Sequence, residues 1–86
     1  MHTIKWRPRA EREFLALPKN IQKLMVPRID ALMADPRPAG CRKLSNQADR
    51  YRIRVGDYRI VYEIRDRLLV ILVVSVGHRR DIYRGL

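Results

Sequence analysis

Apolar and polar residues alternate in "HTIKW" (His2 to Trp6), just ahead of Pro8. That pattern predicts a short strand, at a sheet edge because proline cannot continue a ladder. In "RAEREFLAL" the spacing changes: Ala10, Phe14 and Leu17 recur at helical intervals, predicting a short helix that stops before Pro18. Asn20 is placed to cap a second helix. Ile21, Leu24, Met25, Ile29, Leu32 and Met33 form its expected buried face, and Pro27 inside the run removes a backbone hydrogen bond and should kink it. "DPRPAGCRKLSNQADR" (Asp35 to Arg50) is rich in turn residues and reads as a connector within one domain. Three strands are expected after it: Arg50 to Val55, Tyr58 to Ile64, and Leu68 to Val76. The last is almost wholly apolar, as befits a central strand covered on both faces. The order β-α-α-β-β-β predicts an α+β fold: an N-terminal strand, a helical hairpin, then a mostly antiparallel sheet.

Length and composition narrow this further. Eighty-six residues fit a single domain spanning 1–86, with a thin core that a partner can supplement. A hydrophobic content of 47% is that of a globular chain. Cys41 is the only cysteine, so no internal disulfide forms and a reducing cytoplasm is the expected compartment. The run Leu68 to Val74 is far below the roughly 20 residues of a membrane helix. No signal peptide or metal-ligand cluster is visible, and no cofactor is expected.

Charge changes the picture most. Nineteen Lys and Arg against nine Asp and Glu give +10, and fifteen of the nineteen are arginine. The guanidinium fork grips phosphate in bidentate fashion, which favours a nucleic-acid target, an acidic protein partner, or both. A GC-rich coding sequence accounts for part of this excess but not for its clustering.

The clustering is in "YRIRVGDYRIVYEI" (residues 51 to 64). With Gly56-Asp57 as a two-residue turn, Val55 faces Tyr58, Arg54 faces Arg59, Ile53 faces Ile60 and Tyr51 faces Tyr62. Directly opposite residues share a face. One face therefore collects the apolar and tyrosine residues, and the other Arg52, Arg54 and Arg59. Arg54 against Arg59 is a local cost, and rule-breaking of this kind concentrates at functional sites. Three solvated arginines on an open sheet face are the alternative reading. The tail after Gly77 adds His78, Arg79 and Tyr83, which are expected to reach the same face as candidates for phosphate stabilisation or proton transfer.

These segments, with "VSVGHRRDIYR" and the Lys43-Leu44 pair, resemble the RelE branch of the RelE/ParE toxins of bacterial toxin–antitoxin pairs, over essentially the whole chain. The resemblance implies a RelE-like fold and a cytoplasmic toxin held inactive by an acidic, RelB-like antitoxin in a hetero-oligomer. It also implies a metal-independent endoribonuclease that cuts mRNA in the ribosomal A site and inhibits translation. By the same resemblance Arg52, Arg54, Arg59, Arg79 and Tyr83 fall on catalytic positions, and Lys43, Arg50, Arg80 and Arg84 are expected to add RNA contacts. Arg52 and Arg54 stand where some relatives carry lysines. Arginine stays protonated and cannot act as a base, so His78 is the expected source of the missing base or acid. The alternative is a ParE-like toxin that inhibits DNA gyrase without cutting RNA. A plain RNA-binding module fits less well, because most tyrosines fall on the core face.

Overall fold

The computed structural model describes residues 1–44 and 49–80. These form β1 (Thr3–Trp6), α1 (Pro8–Leu15), α2 (Lys19–Ala31), β2 (Arg42–Lys43), β3 (Arg50–Val55), β4 (Tyr58–Arg65), a 3₁₀ turn (Asp66–Leu68) and β5 (Val70–His78). They build one five-stranded sheet in the order β1-β5-β4-β3-β2. β1 runs parallel to β5, and every other pairing is antiparallel. The expected α+β architecture is the observed one, with the added strand β2 at the far edge.

Local chemistry explains the boundaries. Pro8 opens α1, where its missing N–H is no loss. α2 starts two residues earlier than Asn20 suggested: Pro18 occupies the N-cap position without a side-chain cap, and its carbonyl takes the N–H groups of Ile21 and Gln22. Met25, Ile29 and Leu32 are buried and Ile21 half-buried, but Leu24 is 56% exposed. The second helix packs on a stripe too narrow for every apolar position of its sequence.

The β3–β4 hairpin has the expected register throughout. Gly56 takes φ +60° as the first turn residue, a left-handed conformation that favours glycine. β5 begins later than expected. Leu68, 67% exposed, belongs to the 3₁₀ turn, and Leu69 ends that turn with φ +53° before the strand starts at Val70.

One face of the sheet and the two helices enclose the main core: Ala10, Met25, Ile29, Leu32, Ile53, Ile60, Tyr62, Ile64, Ile71, Val73 and Val76, with Trp6, Phe14, Tyr51 and Tyr58 packed around it. Tyr62 is fully buried, and its phenol donates a 2.7 Å hydrogen bond to the Pro36 carbonyl. Burial raises the phenol well above its usual pKa, so it remains a donor. At the rim, Arg37 donates to Asp66 and Tyr51, and the His2 ring pairs with Asp66 at 3.1 Å.

Candidate functional site: an arginine face on the sheet

The face away from the helices has a floor of its own. Val61 and Val74 are buried there, with Leu44 and Leu72 packed against them. Around this floor stand Arg50, Arg52 and Arg54 on β3, and Arg59, Glu63 and Arg65 on β4. Strand alternation puts them all on one side. Arg54 and Arg59 are directly opposite, as the hairpin pattern required.

A further arginine joins them that sequence reasoning missed. β2 pairs with β3 so that Arg42 faces Arg52 and Lys43 faces Tyr51. Arg42 is therefore on the arginine face, and Lys43 is turned to the helix side. A two-residue strand inside a turn-rich connector leaves no alternation to read. The Arg-Lys dipeptide was the signal available, but not which of its members faced which way.

The carboxylate on this face, Glu63, is already engaged. Glu63, 8% exposed, accepts from Arg50 Nε at 3.0 Å and from Arg65 Nη2 at 2.7 Å. Burial works against its charge, but the two guanidinium hydrogen bonds outweigh that and hold the carboxyl below the usual glutamate range. Arg50, expected to contact RNA, is thus bound to a carboxylate. At the outer edge of β5, Glu13 Oε1 accepts from Ser75 Oγ at 2.8 Å and from the Val76 amide at 3.2 Å, while Oε2 accepts from Arg9.

Arg52 and Arg59 differ from the rest. Each has an Nη1 shielded from solvent with no hydrogen-bond partner. Buried polar groups are nearly always paired, and an unpaired charged donor is more costly still. The guanidinium groups gathered on this face suit an anion with several acceptor oxygens, as a phosphate has.

His78 is not among them. It stands opposite Tyr58, and their rings meet edge to face at 5.5 Å on the helix side. The cause is a β-bulge in β4–β5. Val61 pairs with Ser75, but Tyr62 pairs with Val73, so Val74 is an extra residue. Strict alternation from Ile71 with Val74 counted as a regular strand residue would carry His78 to the arginine side; because Val74 is bulged out of the count, Gly77 lies opposite Arg59 instead. His78 Nδ1 accepts from the Arg80 amide at 3.2 Å. The Arg79 amide donates to the Asp57 carbonyl at 2.9 Å, which ties Arg79 to the hairpin turn beside Arg54 and Arg59. Tyr83 and Arg84 lie outside the described residues. Among the described residues no group of His, Cys, Asp and Glu is placed to hold a metal, and no helix is long and apolar enough to cross a membrane.

Comparison with known proteins agrees with this fold. Residues 4–83 match the family model for the ParE toxin of the type II toxin–antitoxin system parDE. The chain is 30% identical over 84 residues to toxin RelG of Mycobacterium tuberculosis (strain ATCC 25618 / H37Rv), covering 96% of this chain and 97% of that one. It is 33% identical over 86 residues to a RelE-like toxin protein of Escherichia coli, covering 95% and 90%. Among solved structures it resembles a chain of the intact E. coli RelBE toxin–antitoxin complex, with TM-score 0.81, 27% identity, and coverage of 91% of this chain and 96% of that one. With the hairpin, the arginine face and the helical cover all in place, the chain belongs to the RelE/ParE superfamily of type II toxin–antitoxin toxins, as a RelE-like member.

Proposed function

We propose that the protein is a ribosome-dependent mRNA endoribonuclease that cleaves in the ribosomal A site, and that the arginine face is where the scissile phosphate sits. The observation that carries this reading is the gathering of Arg42, Arg52, Arg54 and Arg59 on one face of the sheet, with Arg54 directly opposite Arg59. In the reaction the ribose 2′-oxygen attacks the adjacent phosphorus and loses its proton to a base. The P–O5′ bond then breaks as that oxygen takes up a proton, leaving a cyclic phosphate and a 5′-hydroxyl. The pentavalent phosphorane between these steps carries extra negative charge, which preorganised cations stabilise. Arg52, Arg54, Arg59 and Arg79 take that role, with Arg42, Arg80 and Arg84 tracking the flanking backbone.

Arginine cannot exchange the protons. Tyr83 is assigned the acid, by its match to the family pattern. His78 was expected to supply the base or the acid, but its ring packs against Tyr58 on the other face. His78→Gln is therefore expected to leave the pH–rate profile unchanged. No metal is required for this chemistry, because the arginines supply the positive charge.

The partner in the resting state is an acidic antitoxin, matched to the +10 charge. Expression without antitoxin, followed by primer extension on cellular mRNA, tests the function. Cuts at ribosome-occupied codons are expected. The match to a ParE model favours a second reading, gyrase inhibition; intact transcripts with gyrase-linked DNA breaks would establish that one instead.

A further inference from the structure

Arg50 sits on the arginine face, yet its guanidinium is committed to Glu63 and its side chain is only 16% exposed. That makes it a poor RNA contact. Its surroundings suggest another task. Glu63 stands directly across from Arg50, and Val61 directly across from Arg52. Glu63 and Arg52 are therefore diagonal neighbours on one face, a separation that long side chains span. Val61 offers Arg52 no acceptor. A buried carboxylate with a vacant oxygen, beside a half-buried guanidinium with an unpaired Nη1, would form an ion pair.

We propose that Arg50 is a positioning residue: by occupying Glu63 Oε2 it keeps that carboxylate from closing on Arg52. Arg65 holds the second oxygen, Oε1, at 2.7 Å. Between them the two arginines engage both oxygens of Glu63, the carboxylate on the arginine face of the β3–β4 ladder, and offset its charge. Arg52 Nη1 is consequently left without a partner. If Arg50 is removed, Oε2 is vacated and Arg52 is the adjacent guanidinium able to fill it. An Arg52–Glu63 pair would cancel the charge that phosphate is to meet and draw the guanidinium toward the floor.

The effect on cleavage rests on the nuclease reading; the effect on Arg52 itself does not. The experiment compares parent, Arg50→Ala, and Arg50→Ala combined with Glu63→Gln. Arg50→Met, which keeps an apolar stem without a donor, serves where Arg50→Ala fails to fold. Single-turnover cleavage on programmed ribosomes is expected to fall in Arg50→Ala toward the about 10²–10³-fold loss typical of one missing preorganised donor. The double variant, which has no carboxylate at position 63, should recover most of that loss. A direct RNA contact through Arg50 predicts no recovery, and that result would overturn the proposal.

The second readout is the ¹⁵N–¹H signal of the Arg52 side-chain Nε, recorded without RNA or ribosome. It should shift, and its proton exchange should slow, in Arg50→Ala, and both should revert in the double variant. An Arg52 signal unmoved by Arg50→Ala sinks the inference whatever the activity. A signal that moves and reverts in a protein that cuts no RNA upholds it and refutes the nuclease reading alone.

Discussion

Ser75 Oγ and Glu13 Oε1 lie 2.8 Å apart, joining α1 to the strand beyond the end of β1. β1 pairing stops at Trp6 opposite Val73, and the Arg7 amide makes the last backbone bond to the Val73 carbonyl. Further along, the Val76 amide donates to the same Glu13 oxygen. A side chain thus continues a ladder where the strand has left off, just past the bulge that sets the facing of Gly77 and His78. Glu13→Ala would leave a fully buried hydroxyl and an edge amide unpaired. We expect a loss of about 1–3 kcal/mol in urea unfolding, and a smaller one for Glu13→Gln, which keeps an acceptor.

Arg54 opposes Arg59 with no carboxylate across the ladder from either. Arg54→Thr should therefore raise stability by about 0.2–1 kcal/mol at low salt, since directly opposed like charges are destabilising. The gain should shrink as salt screens the repulsion over about 10 Å at 0.1 M. Melting at several salt concentrations, alongside ribosomal cleavage, separates the two roles. Stability rises while cleavage drops by about 10²–10³. A variant both less stable and fully active would make this face structural.

The Tyr62 phenol anchors the connector after α2 through the Pro36 carbonyl. Tyr62→Phe should cost about 0.5–1.5 kcal/mol in chemical denaturation, with cleavage preserved because the phenol is on the helix side. An unaltered denaturation midpoint would show that this bond adds nothing.

Glu63 gives a pH dependence of definite sign. Its folded-state pKa is lowered, so the stabilisation is complete above the ordinary glutamate value of about 4.3. It is lost as pH falls through the lower folded value, because the unfolded chain binds the proton first. Parent and Glu63→Gln should hold a constant stability difference near neutrality and converge in acid. Unfolding midpoints from pH 7 downward, within about 4 units of it, provide the test. A gap that widens in acid would contradict the assignment.

The hairpin was legible because two signals coincide there: period-2 alternation on both arms and a two-residue Gly-Asp turn between them. Ile53, Ile60 and Tyr62 were placed in the core and Arg52, Arg54 and Arg59 outside it by that pattern alone. Arg42 was not legible, because a strand of two residues has no period. His78 is misplaced because the sequence reads as a strand ending at Val76 with a tail after Gly77. The strand runs on to His78, and the bulge at Val74, unmarked in an apolar run, turns it to the helix side. Leu24 shows the converse limit: helical spacing names the residues that can be buried, and the width of the contact decides which are.

The sheet order carries a consequence for synthesis. β5 lies between β1 and β4, so Thr3 finds its partner at Val70 and Trp6 at Val73. The earliest strand of the described chain must wait for the latest. Pairings across such sequence separations are slow to form. A nascent chain that has not yet released β5 has the hairpin with its arginines but no strand to join it to β1 and α1. A cell making this toxin thus gains an interval, during each round of translation, in which the arginine-bearing half exists and the completed protein does not.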